Sequence, residues 1–162
     1  MEKSESTIQM TDQYYMAFDP GLTTGWARFD ENGTIESFGQ FKWDERDDAL
    51  RRFITPNCKA VIVEDYLNHG WQQQKRWSKN ETSKLIGAIE AICAFVGVPV
   101  HLQRNTVKAI GYKWAGMDGP PSNHSISHQY DAIAHGTYWL QSNGTRKPGQ
   151  GMKLGDIDSV QG

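Results

Sequence analysis

Regular patterning begins at Tyr14, after a polar leader of acids, Ser and Thr that offers little to bury. Tyr14 to Phe18 is a short apolar run rich in aromatics that stops at Asp19-Pro20-Gly21, the mark of a strand entering a turn. This first strand therefore delivers Asp19 at its C-terminal end. Gly25 to Phe29 alternates, Asp30-Glu31-Asn32-Gly33 reads as a hairpin turn, and Thr34 to Trp43 alternates again, which predicts a three-stranded antiparallel meander. Asp44 is placed to cap a helix that runs to Ile54, ahead of Pro56. Ala60-Val61-Ile62-Val63-Glu64 is the unbroken β-branched run of a strand covered on both faces, and it too ends in a carboxylate.

The next stretch is polar and aromatic, with Trp71, Lys75, Arg76, Trp77 and Lys79, and reads as an exposed loop or helix start that concentrates positive charge. From Glu81, the residues Leu85, Ile89, Ile92 and Val96 follow a helical period that Gly97 and Pro99 end, and Val98 to Leu102 forms a last short strand. Arg104 to Ala115 is a polar helix bearing Lys108 and Lys113, Gly116 to Pro121 is a break, and a final helix spans Asn123 to Trp139. The remainder, 141–162, is glycine-rich and predicts a mobile tail, as 1–12 predicts a flexible leader, leaving 13–140 as the folded domain. A meander followed by β-α-β crossovers implies an α/β fold with a mixed sheet and helices on its faces.

Composition narrows the class. A chain of 162 residues with 38% hydrophobic and 22% charged positions has the makeup of one folded domain, not of a disordered or membrane-spanning chain. The longest apolar stretch, Ile86 to Val100, is interrupted by Gly87, Glu90, Gly97 and Pro99, and the leader has no secretory pattern, so no membrane association and a cytoplasmic location are expected. Cys58 and Cys93 lie in apolar surroundings without metal-type spacing and read as core thiols. The formal net charge of −2 means that any nucleic-acid contact must come from a local basic patch.

Helical geometry sets Ile126, Tyr130, Ile133 and Thr137 on one side of the last helix and His124, His128, Asp131 and His135 on the other. Joined to the two strand ends, that polar side suggests a cluster of Asp19, Glu64, His128 and Asp131, with Asp65 a rival to Glu64, and with His124 and His135 rivals to His128. Carboxylates about 4 Å apart repel by roughly 1 kcal/mol in water and about 4 kcal/mol at an effective dielectric of 20, a cost that a divalent cation removes. Oxygen donors with one imidazole suit Mg²⁺, with Mn²⁺ as substitute, and two such ions roughly 3.5–4 Å apart can drive phosphodiester hydrolysis. In that setting His128 is a ligand or a proton shuttle. Trp71 and Trp77, with Lys75, Arg76 and Lys79, have the makeup to stack bases and meet phosphates, although packing against the neighbouring helix explains the tryptophans equally well.

The string Ala17-Phe18-Asp19-Pro20-Gly21-Leu22-Thr23-Thr24-Gly25-Trp26-Ala27 resembles the first motif of the RuvC family of Holliday-junction resolvases, in the RNase H-like superfamily. Val61 to Asp65, Gly87 to Ala91, Val107 to Gly111 and His128 to Ala134 resemble, in order, its second acidic strand, the following helix, its lysine-bearing segment and its last acidic helix. The resemblance covers Tyr14 to Leu140. It implies an RNase H-like fold with a mixed five-stranded sheet and helices on both faces. It also implies metal-binding acids at Asp19, Glu64 and Asp131, a fourth metal-side position at His128, and a basic residue near the scissile phosphate at Lys108; apart from the resemblance, Lys113 on the same polar helix is a further candidate contact to DNA. The implied activity is Mg²⁺-dependent nicking of four-way junctions and related branched DNA by a homodimer whose two-fold symmetry matches its substrate, in a bacterial or phage-infected cell. The loop from Asn68 to Lys79 does not follow the family pattern, and family members are commonly more basic.

Three other readings compete. Asp19 to Gly25 also resembles the phosphate loop of actin-like ATPases and sugar kinases, but those close two related domains over a nucleotide and this length supplies one. An RNA–DNA hybrid nuclease would use the same acids, and a non-cleaving branched-DNA-binding module would keep the fold without the chemistry.

Overall fold

The computed structural model describes residues 12–65 and 76–150. Its strands are β1 (Tyr14–Asp19), β2 (Thr23–Asp30), β3 (Ile35–Lys42), β4 (Cys58–Asp65) and β5 (Val100–Arg104). The helices are α1 (Arg46–Phe53), α2 (Arg76–Val96), α3 (Lys108–Trp114) and α4 (Ser127–Ser142). The five strands form one mixed sheet in the order β3-β2-β1-β4-β5. The meander pairs are antiparallel, whereas β1–β4 and β4–β5 are parallel, as helical crossovers require.

Both faces of the sheet are covered, and the strand period of two divides the side chains between them. Met16, Phe18, Val61 and Val63 pack with Leu50, Phe53, Leu85, Ile89 and Cys93 from α1 and α2. Tyr15, Ala17, Ala27, Phe29 and Ile62 pack with Tyr112, Ala132, Ile133 and Leu140 from α3 and α4. Cys58 and Cys93 are free buried thiols. No helix among the described residues is long and apolar enough to cross a membrane.

Several expectations from the pattern are corrected. Asp44 does not cap α1; a 3₁₀ turn at Trp43–Glu45 precedes the helix, and Glu45 Oε1 accepts from the Lys42 amide at 3.1 Å. The polar helix starting at Arg104 begins instead at Lys108, because β5 continues through Arg104 and a 3₁₀ turn intervenes. The last helix is not packed on one side only: α3 covers one flank and the sheet another, so Ala132 through Thr137 are all buried, His135 among them. The segment 141–150 is not loose. Arg146 is buried and donates from Nη1 to the Gly33 carbonyl at 2.9 Å, and Gln150 Nε2 reaches the Asn32 carbonyl at 3.0 Å and Thr34 Oγ1 at 2.8 Å, tying this segment to the β2–β3 hairpin.

Candidate metal centre

The site is built first by strand parity. Asp19 shares a face with Tyr15 and Ala17, and Glu64 shares it with Ala60 and Ile62, so both acids turn toward α3 and α4. The parallel register Phe18↔Val63 then sets the two strand ends side by side. Asp65, the rival to Glu64, falls on the opposite face by the same alternation.

Asp131 arrives from α4 because the helix backbone lies directly on the sheet. A Cβ at Gly25 of β2 would stand 1.8 Å from the His128 carbonyl oxygen, and one at Gly111 of α3 would stand 2.1 Å from the Ala134 carbonyl oxygen. Only glycine admits either approach. With α4 held there, one carboxylate oxygen from each of Asp19, Glu64 and Asp131 lies within 4.8 Å of the others. Asp19 and Glu64 are almost wholly buried, and the Asp131 side chain is 14% exposed, which makes Asp131 the solvent side of the cluster.

Basic and hydroxyl groups ring the three acids. His128 Nδ1 is 2.8 Å from Asp19 Oδ2. Lys108 Nζ lies 3.1 Å from Asp131 Oδ2 and 3.4 Å from Glu64 Oε1. The Tyr112 hydroxyl donates to Asp131 Oδ1. Behind Glu64, His135 Nε2 is 3.4 Å from Oε2, and Gln103 Nε2 meets His135 at its carbonyl oxygen (2.9 Å) and Nδ1 (3.3 Å). An amide N–H facing Nδ1 leaves the ring proton on Nε2, aimed at the carboxylate.

The acids respond unequally. Burial pushes Asp19 up to about 8 against the His128 hydrogen bond, with the neighbouring charges of Glu64 and Asp131 adding to the rise. Burial also acts to raise Glu64, but donors from His135 and Asp19 and the charge of Lys108 outweigh it and bring Glu64 down to about 2. His128 is raised by its hydrogen bond to Asp19 in spite of burial. A buried carboxyl pair with one member raised and the other lowered is one that holds a proton between them.

The donor set fits a hard divalent cation. Among the described residues, Asp19 Oδ1 and both Glu64 oxygens are buried without a well-formed hydrogen bond, Lys108 and His135 approaching Glu64 only to 3.4 Å each. Buried anionic oxygens with unfilled lone pairs are costly unless a cation takes them up. Oxygen donors from three carboxylates suit Mg²⁺ or Mn²⁺.

Of the other candidates, Lys113 is exposed and lines a cavity of about 720 Å³ beside the cluster. The cavity lies between α3 and the segment leading into α4; His124 stands at it, and Lys108 and Asp131 belong to both cavity and cluster. The three histidines thus separate: His128 against Asp19, His135 behind Glu64, and His124 at the cavity. Trp71 and Lys75 lie outside the described residues, as do the side chains of Arg76, Trp77 and Lys79 at the start of α2. Sequence reasoning passed over Tyr112 and Gln103. Tyr112 is four residues after Lys108 and so shares its helix face, and Gln103 pairs with Glu64 in the β4–β5 register, signals that were available but unspecific.

No known family model matches the sequence, and no curated protein matches it. Solved structures do match. Thermus thermophilus RuvC in complex with Holliday junction substrate aligns with a TM-score of 0.58 at 17% identity, over 82% of this chain and 97% of that one. A second Thermus thermophilus RuvC structure aligns with a TM-score of 0.56 at 17% identity, over 82% and 98%. At such identity the likeness is one of architecture, and the chain has the RuvC-like, RNase H-like fold.

Proposed function

We propose that the protein is a divalent-metal-dependent endonuclease that hydrolyses phosphodiester bonds in branched DNA, four-way junctions included, acting as a homodimer in a bacterial or phage-infected cytoplasm. The observation that carries this reading is the convergence of Asp19, Glu64 and Asp131 within 4.8 Å at the C-terminal ends of β1 and β4 in a RuvC-like sheet.

Asp19, Glu64 and Asp131 would hold two Mg²⁺ ions, with Mn²⁺ substituting. When bound, such ions supply Lewis acidity toward phosphate oxygens and activate water. The chain's own groups do the rest. His135, oriented by Gln103, fixes the Glu64 carboxylate from behind. His128 holds Asp19 and, with its side chain 37% exposed, is open to exchange a proton with the reacting strand. Lys108 is partly exposed and borders the cluster, where its ammonium can pair with a phosphate oxygen entering beside Asp131. The neighbour seen with Holliday junction substrate supports branched DNA as the substrate class.

The test is purified protein with Mg²⁺ and end-labelled four-way, flapped, fully paired and RNA–DNA hybrid substrates, with Asp19→Asn and Asp131→Asn as controls. The expected result is paired nicks in the four-way junction that each control lowers by about a hundredfold or more. Cutting of the hybrid alone assigns the fold to hybrid hydrolysis, and binding without cutting leaves a branched-DNA-binding module; either outcome overturns the reading.

A further inference from the structure

The cavity beside the carboxylates has a makeup the cluster does not need. Its walls include Tyr112 and Met117, both buried, with Pro120 and Pro121, and its polar edge carries Lys113 and His124 with Asp118 beside them. Its volume of about 720 Å³ falls in the range of small-ligand sites, room for a single nucleoside and its phosphate but not for a duplex. Apolar and ring surfaces next to ammonium groups form the combination that takes up one base of a single strand.

Resting on the nuclease reading above, we propose that this cavity receives one unpaired nucleobase of the strand whose adjoining phosphate lies at the carboxylates. Position supports this: Lys108 and Asp131 line the cavity and also belong to the cluster, so a base in one and a phosphate at the other occupy neighbouring places along one strand. A base already paired enters only by leaving its partner and its stack. The cavity therefore favours DNA that presents an unpaired nucleotide, as a flap or bulge does and as a branch point does once a pair there opens, and it gives the chain a means of choosing substrates without bulk positive charge.

The test compares two labelled duplexes of identical sequence, one fully paired and one with a two-nucleotide bulge, bound to the wild-type chain in EDTA and followed by fluorescence anisotropy. The wild-type chain is expected to bind the bulged DNA about tenfold more tightly. Ala109→Trp and Pro120→Trp place an indole in the cavity from two exposed positions, so that one variant reports if the other misfolds. Each is expected to bring the ratio of the two affinities to about twofold or less. A wild-type ratio near one, or a ratio that persists in the folded variants, overturns the inference. Because binding is read without metal, failure of the cleavage assay with this ratio intact counts against the nuclease reading alone.

Discussion

Tyr112 donates its phenol hydrogen to Asp131 Oδ1, while Lys108, one turn earlier on α3, meets the other oxygen of the same carboxylate at 3.1 Å. One helix face thus grips both oxygens of the acid on the solvent side of the cluster. Burial, together with that bond to Asp131, pushes the Tyr112 phenol up, so it remains a protonated donor across the working pH range.

Tyr112→Phe keeps the ring and removes the donor. A hydrogen bond to a charged group contributes roughly 1.5–3 kcal/mol, so urea denaturation of the metal-free protein should show a loss of that order. Partners behind a metal ligand typically change affinity by about 10–100-fold, and Mn²⁺ binding by calorimetry should weaken by at least the lower figure. Unchanged stability and Mn²⁺ affinity would show that the bond does not position Asp131.

Removing a charge from the cluster should trade ion binding for intrinsic stability. Asp19→Asn removes a carboxyl that burial, aided by two acidic neighbours, holds well above its ordinary range, so the metal-free melting temperature at pH 7 should rise. Saturating Mn²⁺ should raise the wild-type melting temperature by about 5–10 °C, taking about 2.7 kcal/mol at a hundredfold excess over Kd and about 2–4 °C per kcal/mol at this chain length. Differential scanning fluorimetry with EDTA and with Mn²⁺ reads both quantities. A wild-type chain indifferent to Mn²⁺ refutes the metal assignment.

Gly25→Ala tests how the site is assembled. The new methyl would meet the His128 carbonyl, so α4 must lift away from β2 and carry His128 and Asp131 with it. A severe loss of stability, above about 4 kcal/mol, is expected because a backbone contact cannot yield as a side chain does. If the variant folds, it should lose the Mn²⁺-induced shift in melting temperature. A stable variant with a normal shift would mean that α4 does not need this approach.

The buried thiols set an alkaline limit. Burial pushes Cys58 and Cys93 up to about 12 from the ordinary 9, with nearby charge adding to the rise in each. A group raised on folding stabilises fully below its unfolded value, and that contribution fades as pH climbs toward the folded one. Stability by urea denaturation should therefore fall between about pH 9 and pH 12. Both thiols should resist Ellman's reagent at pH 8 until the chain unfolds. Rapid native labelling would contradict the core position of the thiols.

The strand ends were legible because β alternation is a property of the local backbone. Tyr14 to Asp19 and Ala60 to Glu64 announce strands, each ending in an acid, and the parallel register of β1 and β4 then sets the two acids on one face. Which groups serve those acids was not legible. The sequence places His124, His128 and His135 on one side of a helix, yet His135 ends fully buried behind Glu64 while His124 is exposed at the cavity. Residues near the tail show the same divide, since its glycines predict mobility whereas Arg146 and Gln150 find carbonyls on a hairpin more than a hundred residues earlier.

The sequence by itself determined the α/β order of elements and that two of the strands end in acids, since local periodicity and turn chemistry suffice for both. Tertiary structure alone decided how closely the acids approach one another, that Tyr112 and Gln103 attend the cluster, that His135 stands behind Glu64, and that a cavity opens beside it. Those outcomes depend on which flank of a helix is covered and how closely two backbones approach, and such non-local contacts leave little trace in the spacing of residues along the chain.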